Sequence, residues 1–210
     1  MIGLLGGSFD PVHCGHLRLA LEARQELNLD EVRLLPCGIP PHRAPPVASA
    51  TLRLAMLSAA TQDEPGLRVD DREITRPGPS YTIDTLASLR AEFPHTPLCL
   101  ILGMDAFLGL PTWRRWRELL NYAHLAVAHR PGWMMNATGE VGELLAQHRV
   151  ADATGLRRHA HGRIVLWTLP ALDISSSRIR ALVAQGKSVR YLTPDPVCDM
   201  IHTQRIYSST

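Results

Sequence analysis

No two of the four cysteines, Cys14, Cys37, Cys99 and Cys198, stand in a C-x-x-C pair, which removes the spacing of a structural zinc site or a thioredoxin-type motif. Unclustered thiols in a chain of 210 residues point instead to a reducing compartment. No apolar run approaches the roughly 18 residues of a membrane span. Residues 1–7 are apolar but carry no basic residue, and Asp10 follows soon after, so they do not read as a secretory signal. The charge excess is only +2, and most basic residues are scattered, so the clustered patch of a nucleic-acid surface is missing. Aromatics at 5% and charged residues at 20% are ordinary for a globular chain, and this length buries a core without a disulfide or metal staple. These absences predict one cytoplasmic domain over 1–210, with neither membrane nor nucleic acid as partner.

What is present is an alternation of short apolar runs with helical periodicity. Strands are expected at 2–5, 32–35, 98–102, 124–128 and 164–169, with a weaker one at 69–74. Helical spacing covers 17–27, 81–93, 113–122, 142–148, 175–184 and 196–202; a further helix places Leu52, Ala55, Met56 and Ala59 on one face. Residues 36–47, with five prolines, read as loop. The order predicts an α/β fold with a mainly parallel sheet covered on both faces. Residues 131–162 are the least readable, and the run Arg157-Arg158-His159-Ala160-His161 reads as a solvated insertion.

In such sheets ligands bind beyond the carboxyl ends of strands. Gly6-Gly7-Ser8-Phe9-Asp10-Pro11-Val12-His13-Cys14-Gly15-His16 follows the first strand, and Pro40-Pro41-His42-Arg43 follows the second. Gly103-Met104-Asp105 and Ile174-Ser175-Ser176-Ser177-Arg178-Ile179-Arg180 follow later ones, and together these segments are expected to form a polar, cation-rich cleft. Two glycines let backbone amides approach a ligand, and a helix start near Gly15 favours an anion. His13 and His16, three apart, can face one bound group and donate to phosphate oxygens, more strongly when protonated. A glycine turn with incidental histidines and an H-x-x-H metal site using Cys14 or Cys37 are the alternatives; the order strand, turn, helix favours the anion.

Two familiar nucleotide motifs are lacking. The glycines at 3, 6, 7 and 15 do not make G-x-G-x-x-G, and no acidic residue ends the second strand. Gly186-Lys187-Ser188 lacks the earlier P-loop glycine, since Ala181 stands there, and it follows a helix, so Gly186 is expected to be a helix C-cap.

The segment 6–16 resembles the GxFDPxHxGH signature of the HIGH-motif nucleotidyltransferase superfamily, and 174–180 resembles its second, ISxT/SxIR signature. Ser80-Tyr81-Thr82-Ile83-Asp84-Thr85, Gly103-Met104-Asp105 with Trp113, Pro40-Pro41-His42-Arg43 and Arg130-Pro131-Gly132 look like the bacterial nicotinate-nucleotide adenylyltransferase family. The resemblance runs from residue 2 to about 206 and is poor over 133–162; Cys14 fills a variable position.

The resemblance implies a Rossmann-like doubly wound sheet, with the second signature and the last helices at about 170–210. It implies adenylyl transfer from ATP to nicotinate mononucleotide by direct in-line attack. The products are deamido-NAD and pyrophosphate, and Mg²⁺ is carried on the ATP phosphates rather than by a protein metal site. It makes His13, His16 and Arg180 catalytic. It gives ATP to Gly7, Ser8, Phe9, His13, His16 and Arg43, and also to Gly103, Asp105, Ile174, Ser177 and Arg180. It gives the nicotinate nucleotide to His42, Tyr81, Thr82, Asp105 and Trp113. Asp105 follows an apolar strand, where an unpaired carboxylate is costly, and a helix N-cap is its plain reading. Trp116 is expected in the core, and Arg114, Arg115 and Arg117 mostly in solvent. A related adenylyltransferase for nicotinamide mononucleotide or another phosphorylated acceptor is the nearest rival. An NAD(P)-dependent oxidoreductase and a non-catalytic nucleotide sensor are disfavoured. The oligomeric state is not readable.

Overall fold

A computed structural model describes residues 1–41, 44–130, 138–169 and 172–208. Its elements run β1 Ile2–Gly7, α1 Cys14–Glu26, β2 Glu31–Pro36, α2 Ala50–Thr61, β3 Leu67–Val69, α3 Arg72–Thr75 and α4 Thr82–Glu92. They continue with β4 Leu98–Gly103, α5 Met104–Leu108, β5 His124–His129, α6 Gly139–His148, β6 Arg149–Val150 and α7 Thr154–Arg157. The chain closes with β7 Ile164–Thr168, α8 Ser176–Ala184 and α9 Asp195–Thr203. The strands form one seven-stranded sheet in the order β3-β2-β1-β4-β5-β7-β6, which reverses direction at β1 as in a doubly wound fold. Pairing is parallel between β1 and β4, β4 and β5, β5 and β7, and β6 and β7. Among the described residues no helix is long and apolar enough to cross a membrane.

By internal contacts the chain divides into two units. The first holds Met1–Leu5, Glu22–Arg33 and Tyr81–Pro170. Its centre is β4 and β5, in register from Cys99 with His124 to Gly103 with Ala128. Leu98, Ile101, Leu125, Ala126 and Val127 are buried there, as are Ile83, Leu86 and Leu89 of α4. Strands buried on both faces have no polar alternation to display, which is why 98–102 reads as a continuous apolar run.

The second unit holds Gly6–Leu21, Leu34–Ser80 and Ala171–Thr210. Here α2 packs on α9, with Met56, Leu57, Val197 and Ile201 buried. A smaller cluster of Ile179, Val189 and Cys198 is covered by Ile174, Leu182, Val183 and Leu192.

Several expectations are corrected. The strand expected at 69–74 lies at Leu67–Val69 instead and shares only Val69 with it. Asp70 accepts from the Arg72 backbone N–H at 3.3 Å and pairs with its guanidinium at 2.7 Å, turning the chain into α3. The expected helix at 113–122 is a pair of 3₁₀ turns, Leu110–Thr112 and Trp116–Asn121, broken at Arg115, whose φ is 52°. On α2 Met56 is buried as expected, but the rest of the buried face is Arg53, Leu57 and Thr61 rather than 52, 55 and 59, because a guanidinium occupies a core position. β6, α5 and α7 are short elements that periodicity did not reveal.

The run 157–161 is exposed apart from the half-buried Ala160, as expected, yet its carbonyls are used. Ala160 O accepts from Leu98 N and from the Arg90 guanidinium, and His159 O faces the His124 ring at 2.9 Å. Gly186 closes α8 as expected. Its φ is +66°, its N–H reaches Val183 O, and Lys187 N reaches Leu182 O, the two bonds of a Schellman cap. Trp116 is buried, and Arg114, Arg115 and Arg117 have side chains 46 to 64% exposed.

Candidate active site

In the second unit the chain leaves β1 through Gly6 and Gly7 and reaches α1 directly after His13. Phe9 takes the left-handed region at φ 47° and is fully buried, with its ring edge-on to His16 at 4.9 Å. The His13 and His16 rings stack, 3.6 Å between centroids and 23° apart. A side chain at Gly15 would put its Cβ 3.0 Å from His13 Nδ1 and 3.6 Å from Ile174 O, so the helix start lies close against both signatures. α1 has no acidic residue in its first turn, which leaves its positive end open to an anion.

The three serines of the second signature have separate tasks. Ser175 caps α8 by accepting from Arg178 N at 3.2 Å. Ser176 donates to Pro11 O at 3.0 Å, tying α8 to the first motif. Ser177 is exposed and accepts from Arg180 at 3.4 Å. Arg180 in turn donates to Asp10 O at 2.7 Å. Thus Gly7, Ser8, Phe9, His13, His16, Ile174, Ser177 and Arg180 all lie in one unit, and the Ser176–Pro11 and Arg180–Asp10 hydrogen bonds join the first signature to the second.

Burial controls the charge of the histidines. Desolvation lowers His13 to a pKa of about 4, and desolvation plus the neighbouring His13 lowers His16 to about 3. The free pair is therefore neutral near pH 7, so the stronger donation that protonation would give is not available to it there. Among the described residues neither Nδ1 has a hydrogen-bond partner, although both are buried. Unsatisfied buried polar atoms are rare and mark sites held for a purpose other than packing.

Three side chains that tie the segments of this unit together were not singled out from the sequence. Asp10 is 2% exposed and accepts from Val47 N, Ala48 N and the Tyr207 hydroxyl. Its place inside the first signature was the available signal. Arg53 is 1% exposed and donates to Ser8 O, Cys37 O, Gly38 O and Ala48 O, so one buried guanidinium holds the loops after β1 and β2. Neither Arg53 nor Tyr207 carries a local sequence signal.

Tyr81, Thr82, Gly103, Asp105 and Trp113 lie in the first unit. Tyr81 and Thr82 begin α4, and both are half-buried. The Arg114 guanidinium lies 4.6 Å over the Tyr81 ring and 3.9 Å from Asp84, placing the chain beside Trp113 against the start of α4. Trp113 is half-buried at the end of the first 3₁₀ turn. Gly103 is the N-cap of α5, and Asp105 is an exposed residue of its first turn, so the expected buried carboxylate and N-cap are both corrected. His42 and Arg43 lie outside the described residues, as do Pro131 and Gly132.

A model of the cytidylyltransferase-like family matches residues 4–182. A protein of Aeromonas hydrophila subsp. hydrophila named "Probable nicotinate-nucleotide adenylyltransferase" is 54% identical over 98% of this chain and 96% of its own length. One of the same name from Methylococcus capsulatus is 46% identical, over 99% and 100%. Among solved structures, Plasmodium falciparum nicotinic acid mononucleotide adenylyltransferase complexed with NaAD matches with a TM-score of 0.76, covering 98% of this chain and 96% of that one. Its 16% identity makes that a likeness of fold.

Proposed function

The chain belongs to the cytidylyltransferase-like family, and we propose that it is a nicotinate-nucleotide adenylyltransferase like the relatives it matches almost end to end. It transfers the adenylyl group of ATP to nicotinate mononucleotide in NAD biosynthesis. An oxygen of the acceptor's 5′-phosphate attacks the α-phosphorus in line. The bond from that phosphorus to the β-bridging oxygen breaks, pyrophosphate leaves, and deamido-NAD is formed.

The nucleophile is already an anion, so no strong general base is required. The obstacle is repulsion: two unit charges about 4 Å apart cost about 4 kcal/mol at an effective dielectric of about 20. Catalysis is then positioning plus neutralisation of charge. The observation that carries this reading is the contact, inside one unit, of the motif that carries the stacked His13–His16 pair with the Ser176–Arg180 helix. Neutral imidazoles supply N–H donors without repelling one another, and the triphosphate's charge then opposes the burial that keeps them neutral. Arg180 and Ser177 hold the β- and γ-phosphates, with Gly7, Ser8, Phe9 and Ile174 shaping the ATP site and Arg43 adding charge. Asp105 and Gly103 contact nucleotide ribose; Thr82, Trp113, Tyr81 and His42 receive the nicotinate nucleotide.

Mg²⁺ would be carried on the triphosphate, where it would screen part of the negative charge that Arg180, Ser177 and the histidines face. Among the described residues no group of three or more His, Cys, Asp or Glu could hold a metal ion; the ion would be held chiefly by phosphate oxygens and water. We place the enzyme in the cytoplasm and read 1–210 as one catalytic domain, since the single family model covers residues of both units.

A pyrophosphate-release assay tests the proposal, pairing ATP or CTP with nicotinate mononucleotide, nicotinamide mononucleotide or phosphopantetheine in the presence of Mg²⁺. Release is expected with ATP and nicotinate mononucleotide. None with that pair defeats the reading, and faster release with nicotinamide mononucleotide moves the specificity to the rival acceptor.

A further inference from the structure

We propose that the Tyr207 hydroxyl is a positioning group of the phosphate site: by occupying Asp10 it keeps Arg180 held in place but out of a close ion pair, ready for a polyphosphate. The inference rests on the ATP-using function proposed above. Asp10 and Arg180 are natural partners, yet they do not meet as a tight carboxylate–guanidinium pair. Arg180 Nη1 donates at 2.7 Å to the main-chain oxygen of Asp10 and stands 3.7 Å from its Oδ2. A direct charge-assisted bond would measure about 2.7–2.9 Å.

The carboxylate is engaged elsewhere. Oδ1 accepts from Ala48 N at 3.0 Å and from the Tyr207 hydroxyl at 2.7 Å, and Oδ2 accepts from Val47 N at 2.8 Å. The Asp10 side chain is 3% exposed, so water has little access to it, while Arg180 keeps 30% of its side chain in solvent. A buried carboxylate deprived of one donor seeks another, and the nearest candidate is the guanidinium already beside it.

The chain goes to some trouble to bring Tyr207 there. Both Arg205 and Tyr207 adopt left-handed backbone, at φ 49° and 65°. Such conformations persist in bulky residues only where the surroundings enforce them. Ile206 supplies the anchor: it is 9% exposed, and its N–H reaches Ile201 O. Burial and the adjacent Asp10 push the phenol well above its usual range, so it remains a donor.

Tyr207→Phe keeps the ring and removes only the donor. The expected result is a KM for ATP raised roughly five- to tenfold, with pyrophosphate inhibition weakened in proportion. The KM for nicotinate mononucleotide should stay within about twofold, and the melting temperature should be little changed. In an Asp10→Asn background the anionic competitor for Arg180 is gone, so adding Tyr207→Phe should leave the KM for ATP nearly unmoved. An unchanged KM for ATP in Tyr207→Phe overturns the proposal. So does an equal rise for both substrates with a lowered melting temperature, which marks Tyr207 as structural only, or an undiminished penalty in the Asp10→Asn background. ATP titration calorimetry reads the same effect without turnover. Failure of the wild type to release pyrophosphate therefore counts against the enzymatic reading, and a null calorimetric result counts against Tyr207.

Discussion

His13 and His16 stack ring on ring at 3.6 Å, and burial leaves the pair neutral. The two rings titrate as a coupled pair, so the expected NMR observation is macroscopic midpoints near 4 and 3 in the free protein. A midpoint near 6.5 for either ring would contradict this. His16→Ala should abolish turnover while circular dichroism and melting remain close to wild type.

Acid sensitivity has a defined direction. His124 is fully buried; its Nδ1 accepts from Arg163 N at 3.1 Å, which leaves Nε2–H to donate to His159 O at 2.9 Å. Burial lowers its pKa from 6.5 to about 4. Between those values the unfolded chain binds the proton and the folded one does not. Stability is therefore full above the unfolded pKa and falls as pH drops toward 4, by about 3 kcal/mol from this residue. His13 and His16 act in the same direction. Urea midpoints should decline from pH 7 to pH 4.5, and a flat profile would refute the account.

Arg53→Met removes the donors to Ser8 O, Cys37 O, Gly38 O and Ala48 O at the core face of α2. Buried carbonyls left without donors make the expected loss roughly 3 kcal/mol or more in urea unfolding. Arg53→Lys should recover only part of it, because a single ammonium cannot reproduce the planar fork.

Thr82 opens α4 beside Tyr81, the residue against which Arg114 rests. Thr82→Ala should raise the KM for nicotinate mononucleotide several-fold and leave the KM for ATP near wild type. Equal losses for both substrates would remove Thr82 from the nicotinate contact.

Much of the fold was legible because its signals are local. β4 and β5 are apolar along their whole length, and helical periodicity located α4, α8 and α9. The Schellman end of α8 was visible from Gly186 alone. Around Trp113 the local signal misled. Apolar residues spaced as in a helix are carried by two 3₁₀ turns, and the left-handed Arg115 between them has no sequence signature. The burial of Arg53 was illegible for a related reason: a charged residue reads as surface unless its carbonyl partners, which lie on other segments, are known.

The sequence by itself determined the α/β class and the presence of two phosphate-type signatures. Dihedral preference, apolar periodicity and motif spacing all act over a few residues. Only the tertiary structure decided the charge state of the histidine pair, since desolvation depends on what covers the rings. Likewise it decided that Asp10 takes its hydrogen bond from Tyr207, 197 residues away, instead of closing on Arg180. A carboxylate's partner is chosen by which donors packing brings within about 3 Å, and the sequence order of those donors carries no record of that choice.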